Sequence, residues 1–143
     1  MSTSEHDPGS EELITSAPTF AATHPIPEGE LRQVVHVHRS EQSSTAIASI
    51  QPGGGLRPHF HAEHDEVIVY LEGEADFRLG DEVTTVRAGD VVSIPAGVVH
   101  ATIRARTHVL MAATFAPGFD LAYEDRIYVD DPPIADHRAP ETE

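Results

Sequence analysis

The 143-residue sequence contains no cysteine and no lysine, and all nine of its basic residues are arginine. These absences exclude thiol nucleophiles, disulfides within the chain and lysine Schiff-base chemistry. No apolar run is long enough to span a bilayer. Residues 1–20 also lack the basic start and the apolar run of a secretion signal. We therefore expect a cytoplasmic protein that does not enter a membrane.

Positive charge is also scarce, and the formal net charge is -15. Residues 1–30 hold six acids and no arginine, and residues 116–143 hold eight acids and two arginines, so these ends carry -12 and the middle only -3. Nucleic acids and anionic membranes both need clustered positive charge in a partner, which this sequence lacks. We expect it to bind a small molecule and no nucleic acid.

Four side chains with metal-binding atoms occur at a regular spacing. His59 and His61 alternate with Phe60, and in an extended strand they point to the same side about 7 Å apart. Glu66 begins the next strand-like segment, which can run back antiparallel beside them, and His100 comes from a later strand. Neutral imidazoles with one carboxylate suit divalent iron, manganese, cobalt, nickel, copper or zinc. The sequence therefore predicts one divalent transition metal ion per chain, held by His59, His61, Glu66 and His100.

Alternating histidines can also be polar residues on a solvated strand face. The four ligand types at matched spacing, with glycines where turns are needed, favour the metal site. A second alternating pair, His36 and His38, lacks a following carboxylate and glycine frame. For this pair we predict a solvated or interface face of a strand rather than a ligand pair.

Eight strand-like segments follow residue 31, separated by glycine, proline or polar turns. They are residues 33–38, 45–50, 67–71, 75–79, 83–86, 91–94, 98–103 and 108–115. Many short strands at this spacing are typical of an antiparallel sandwich or barrel. We predict a flexible acidic N-terminal arm at residues 1–30, a barrel domain at 31–116 and a partly disordered C-terminal extension at 117–143.

Two motifs in this region resemble those of a single-domain cupin. The first motif reads Gly53, five residues, His59-Phe60-His61, four residues, Glu66, six residues and Gly73, and the second reads Gly89, five residues, Pro95-Ala96-Gly97, two residues and His100. The resemblance covers roughly residues 46–115 and implies an all-β, eight-stranded antiparallel jelly-roll β-barrel. It departs from the family at Arg104, where cupins usually have asparagine.

The resemblance leaves three classes of function open, because one fold hosts many chemistries. The first is an oxidoreductase in which iron(II) serves as the metal and activates dioxygen. The second is a lyase, isomerase or cyclase in which the ion acts as a Lewis acid, although Ile68 stands where an acid or base on the ligand strand would be convenient. The third is a noncatalytic small-ligand-binding cupin. We rank them in this order.

Strand alternation also nominates two catalytic side chains. If Glu66 points inward, so does Tyr70, which is a possible proton-transfer group. If His100 points inward, Arg104 can reach the mouth of the site and hold a substrate carboxylate bidentately; the alternative is a solvated charge at a strand end.

The segment 33–38 can extend the sheet of a second chain. We therefore expect a homodimer, a common state of the cupins that this chain resembles.

Overall fold

The computed structural model describes residues 13–118 and 126–129. Within these residues the chain forms one short helix and ten strands. The elements are helix α1 (Ala17–Thr23) and strands β1 (Arg32–Arg39), β2 (Ser44–Ile50), β3 (His59–His61), β4 (Asp65–Glu72), β5 (Glu74–Leu79), β6 (Glu82–Arg87), β7 (Val91–Ile94), β8 (His100–Ala105), β9 (Val109–Ala116) and β10 (Arg126–Tyr128).

The strands form two five-stranded sheets whose pairings are all antiparallel. One sheet has the order β1-β2-β9-β4-β7 and the other β10-β3-β8-β5-β6. Apolar side chains from both sheets pack into one core, which includes Ile50, Ile68, Tyr70, Phe77 and Phe115. Alternate residues of the longer strands, such as Ile68 and Tyr70 of β4, thus point into the space between the sheets. This all-β jelly-roll architecture confirms the predicted fold class.

The number of strands differs from the predicted eight. The two additional strands are β3 and β10, which have three residues each and pair with one another. Three residues are too few for an alternating pattern to identify a strand. The local prediction that His59 and His61 share an extended segment is nevertheless correct, because both lie in β3.

Helix α1 lies within residues 1–30, for which the sequence predicts a flexible arm. It begins after Ser16, whose side chain accepts a hydrogen bond from the Thr19 backbone N–H, as helix-capping residues do. Its buried Phe20 packs in a small second core with Val35, Ile47 and Leu110. No helix in residues 13–118 or 126–129 is long and apolar enough to cross a membrane.

A turn between β7 and β8 holds the two predicted motifs together. Gly97 has a positive φ of 89°, which favours glycine because other residues clash with their own backbone there. The Gly97 N–H donates a 2.8 Å hydrogen bond to the carbonyl of His61. The Ala96 N–H donates at 2.9 Å to the side chain of Asp65. The loop before His100 is therefore fastened to the strand that carries the other two histidines.

Candidate metal centre

Three histidines from two adjacent strands converge between the sheets. His59 and His61 come from β3, and His100 begins β8 directly opposite His59 in the antiparallel register. All three side chains are buried, and one nitrogen atom of each lies within 4.8 Å of the others. The cluster can therefore hold a metal ion.

Backbone carbonyls fix which ring nitrogen of two histidines carries the proton. The Nδ1 atom of His59 lies 2.6 Å from the carbonyl oxygen of Arg57, and Nδ1 of His100 lies 2.9 Å from that of Val98. A carbonyl oxygen only accepts, so both Nδ1 atoms donate and both Nε2 atoms of the neutral rings keep a lone pair. Metal-binding histidines are held in this way by a hydrogen bond on the far ring nitrogen.

The surroundings of His59 also keep its ring neutral. Burial lowers the pKa of His59 from 6.5 to about 3, because an imidazolium loses its hydration inside the protein. The hydrogen bond to Arg57 raises this pKa, whereas the charges of His100, Arg126 and His61 lower it further. The ring is therefore unprotonated, the state that binds a metal, throughout the physiological pH range.

Glu66, the predicted fourth ligand, lies against two of the three histidines. Its Oε1 atom is 2.8 Å from Nε2 of His100 and 3.7 Å from Nε2 of His61, and its side chain is buried. Nδ1 of His100 carries the ring proton, so Nε2 of His100 and Oε1 of Glu66 face each other with lone pairs. This contact is repulsive unless a proton or a cation lies between or beside the two atoms. This donor set fits a divalent transition metal ion. Direct ligation by Glu66 stays a prediction.

The cluster adjoins a cavity of about 230 Å³. His59, His61 and Glu66 form part of its wall. The apolar part of the wall consists of Val34, Ala46, Ala48, Leu56, Met111, Ala113 and Phe115. An apolar cavity with a few converging polar groups is the usual form of a small-ligand site, although this cavity is smaller than most such sites.

His36 also lines this cavity, which corrects the prediction of a solvated or interface strand face for His36 but not for His38. His36 is only 5% exposed, whereas His38 is exposed and makes a 3.2 Å hydrogen bond with Ser43. The register between β1 and β2 shifts between the two histidines. Such a bulge breaks the alternation of side chains, so residues two apart no longer share a face.

Two further polar residues of the cavity wall, Arg32 and Arg126, were not identified from the sequence. Arg32 begins β1, and Arg126 lies in β10 directly opposite His61. No sequence motif marks either arginine. Arg126 reaches the site through the pairing of two three-residue strands more than sixty positions apart, and local patterns carry no signal for such a contact.

The two predicted catalytic residues, Tyr70 and Arg104, lie elsewhere. Tyr70 is buried in the core, and its hydroxyl is 2.6 Å from Oγ1 of Thr102. Burial raises the pKa of Tyr70, the hydrogen bond to Thr102 lowers it and the charge of Glu66 raises it, so the phenol stays protonated. Arg104 is partly exposed on β8, opposite Asp76 of β5. Neither belongs to the described wall of the cavity, and their catalytic roles stay predictions.

Comparisons with known proteins agree with this architecture. Residues 46–114 match the family described as Cupin domain. An uncharacterized protein of Aquifex aeolicus is 35% identical over 63 residues, which are 44% of this chain and 52% of that protein. The chain thus matches only about half the length of this relative.

Solved structures show the same fold at low sequence identity. A Klebsiella pneumoniae protein with a double-stranded β-helix domain superposes with a TM-score of 0.69 at 21% identity, covering 83% of this chain and all of that one. An RmlC-like cupin from Shewanella frigidimarina gives a TM-score of 0.61 at 20% identity, covering 68% of this chain and 86% of that one. At these identities the likeness establishes the fold alone.

Proposed function

Because residues 46–114 match the cupin domain family and the chain shares its fold with solved cupins, we propose that it is a cupin and a metal-dependent enzyme acting on a small organic molecule bound beside the histidine cluster. The proposed metal is one divalent transition ion per chain, held by His59, His61, Glu66 and His100. One observation carries the proposal: His59 and His61 belong both to the histidine cluster and to the wall of the cavity, which Glu66 also lines. A molecule in the cavity therefore lies next to the donors.

The reaction that we propose first is an oxygenation with iron(II) as the ion. When bound, iron(II) would supply the site for substrate oxygen atoms and for the activation of dioxygen. The chain itself supplies an apolar wall that includes Leu56, Met111 and Phe115. This wall excludes water from the reacting groups and so limits side reactions.

Lewis-acid chemistry by a lyase, isomerase or cyclase is the second candidate, and His36 is the observation that favours it. The sequence ranks this class lower because Ile68 stands where an acid or base on the ligand strand would be convenient. His36 is buried in the cavity wall, and an imidazole there is within the same small space as any bound substrate. It is therefore a suitable group for moving a proton to or from that substrate.

The test begins with elemental analysis of the purified protein and a structure after soaking with small organic molecules. Anaerobic reconstitution with iron(II) or with zinc then gives two matched preparations, and oxygen uptake and product formation are measured with each. We expect about one ion per chain and oxygen-dependent turnover with iron(II) only. Equal turnover with zinc and without oxygen would establish the Lewis-acid class. Purified protein that binds no divalent ion would refute both the oxygenase and the Lewis-acid enzyme.

A His36→Asn variant separates the two reaction classes at the level of one side chain. In the Lewis-acid class this variant loses turnover while it keeps its metal content, because the imidazole moves a proton and does not hold the ion. In the oxygenase class the variant keeps most of its oxygen uptake. His38→Asn is the matched control, since His38 lies on the exposed side of the same strand.

A further inference from the structure

The charged side chains that line the cavity are mostly positive, whereas the chain as a whole is strongly negative. The protein has a net charge of -15, yet the charged side chains of the described cavity wall are Arg32, Arg126 and a single carboxylate, Glu66. We propose that the substrate is a small organic carboxylate whose carboxylate group is bound by Arg126 and Arg32, with its other end towards the histidine cluster. This inference rests on the proposed function and adds the class of substrate.

Arg126 is held close to the donors by strand pairing. It lies opposite His61 in the antiparallel pairing of β10 with β3, and directly opposed residues present their side chains on the same face of a sheet. Arg126 therefore lies in the cavity wall beside the strand that carries two histidines of the cluster.

Strand β10 is anchored by contacts outside the cavity. The guanidinium carbon of Arg57 lies 4.2 Å from the centre of the Tyr128 ring, a cation–π geometry. The Val129 N–H donates a 3.2 Å hydrogen bond to the carbonyl of Pro58. Nη1 of Arg126 itself donates to the Tyr128 hydroxyl at 3.2 Å. These contacts hold β10, and with it Arg126, beside the cavity.

Arg32 approaches the same cavity from the other sheet. It is exposed at the start of β1, and its Nη1 atom donates a 3.2 Å hydrogen bond to the carbonyl of Gly55. Arg32 and Arg126 therefore line one cavity from two different sheets. Two guanidinium groups repel each other across a cavity unless an anion lies there, and guanidinium binds carboxylate through paired, charge-assisted hydrogen bonds.

The size of the cavity narrows the class of anion. Its volume of about 230 Å³ is below the range of about 300 to 1,000 Å³ in which most ligand pockets fall. A small carboxylic acid fits such a space better than a nucleotide. The apolar wall formed by Ala46, Ala48 and Ala113 leaves room for the short carbon skeleton of such an acid.

Calorimetric titration with malonate and with its neutral analogue malonamide tests this inference, using both metal-loaded and metal-free protein. We expect malonate to bind the metal-loaded wild type at least about tenfold more tightly, the factor that one charge-assisted hydrogen bond supplies. Arg126→Gln and Arg32→Gln should each remove most of this preference at unchanged metal content. Arg126→Lys should keep part of the preference for malonate, because lysine retains the positive charge but lacks the planar guanidinium that binds a carboxylate through two hydrogen bonds.

Arg87→Gln is the matched control, because Arg87 lies on β6 with a largely exposed side chain and pairs with Glu74. It should bind malonate as the wild type does. Equal affinity for malonate and malonamide, or wild-type preference in both Arg126→Gln and Arg32→Gln, would overturn the inference. An arginine-dependent preference in a protein that holds no metal would support the carboxylate site while refuting the proposed enzyme.

Discussion

At the scale of single residues, the structure brings together the three histidines that the sequence motifs singled out. His59 and His61 are two apart in one strand, and His100 meets them across a strand pair. The cavity arginines could not be identified in this way, because Arg32 and Arg126 approach the site only after the sheets have formed. Local spacing therefore predicts the donor atoms, whereas the groups that face a substrate depend on tertiary structure.

The first prediction concerns His61, whose side chain belongs to the donor cluster. His61→Ala should lower metal affinity at least about tenfold, since even the groups that only orient ligands contribute about 10- to 100-fold. The domain should stay folded, because the Gly97 hydrogen bond uses the backbone carbonyl of residue 61. Elemental analysis and circular dichroism measure the two effects, with the exposed His38→Ala as control. A variant that unfolds completely would mark the metal as structural.

A second prediction follows from the lowered pKa of His59, from 6.5 to about 3 as a result of burial. Between these two pH values the unfolded chain binds a proton at this ring and the folded chain does not, so acidification favours unfolding. The free energy of unfolding of metal-free protein should therefore fall by about 1.4 kcal/mol per pH unit from this group alone. Above pH 6.5 its contribution is constant.

Urea denaturation at pH 7 and pH 5 measures this effect. His59→Gln removes the titrating ring, so the fall in unfolding free energy between the two pH values should be smaller in the variant than in the wild type. The comparison isolates His59 because the other titrating groups are common to both proteins. Equal losses in the two proteins would mean that folded His59 is protonated at pH 5, as it is in the unfolded chain, and that its pKa is not lowered.

At the scale of elements, predictions were good where strands are long and alternating, and failed where a strand is short or bulged. Strands β4, β5 and β9 have six to eight residues each, and the sequence located all three. The three-residue strand β10 gave no periodic signal. The register shift after His36 in β1 separates the buried His36 from the exposed His38, which the sequence placed on one face. Strand pairing, which is not encoded locally, decides both cases.

The third prediction concerns the turn that joins the two ligand motifs. Gly97→Ala introduces no collision, since nothing lies within 4 Å of an added Cβ atom, but the φ of 89° is strained for alanine. The cost should be on the order of 1 to 3 kcal/mol of stability. Because the same turn is hydrogen-bonded to His61, metal affinity should fall as well.

Gly29→Ala provides a matched comparison for this turn. Gly29 has a φ of 86° and equally open surroundings, and it precedes β1, away from the ligand motifs. This variant should lose similar stability in thermal denaturation while it keeps the metal affinity of the wild type in competition with a chelator. Equal metal affinity in the two variants would show that the turn does not position the cluster.

At the scale of the whole molecule, charge is distributed unevenly. Most of the negative charge lies in residues 1–30 and 116–143, whereas two arginines face the cavity of the described domain. An acidic chain repels anions at long range, and salt screens this repulsion beyond about 10 Å at 0.1 M. Selection of a carboxylate must therefore come from short-range contacts inside the cavity, where screening is weak.

The last prediction is the homodimer. Strand β1 is an edge of its sheet, and an edge strand presents unpaired N–H and C=O groups to a second chain. Pairing of β1 with its copy would complete these hydrogen bonds. We expect a dimer at micromolar concentration in sedimentation velocity. Gln33→Lys should give monomers, since a lysine on an edge opposes pairing, and Gln33, unlike Val34, is not part of the cavity wall. Val91→Lys should stay dimeric because Val91 lies on β7 at the opposite edge of the same sheet. Monomeric wild-type protein, or dissociation by Val91→Lys alone, would contradict assembly through β1.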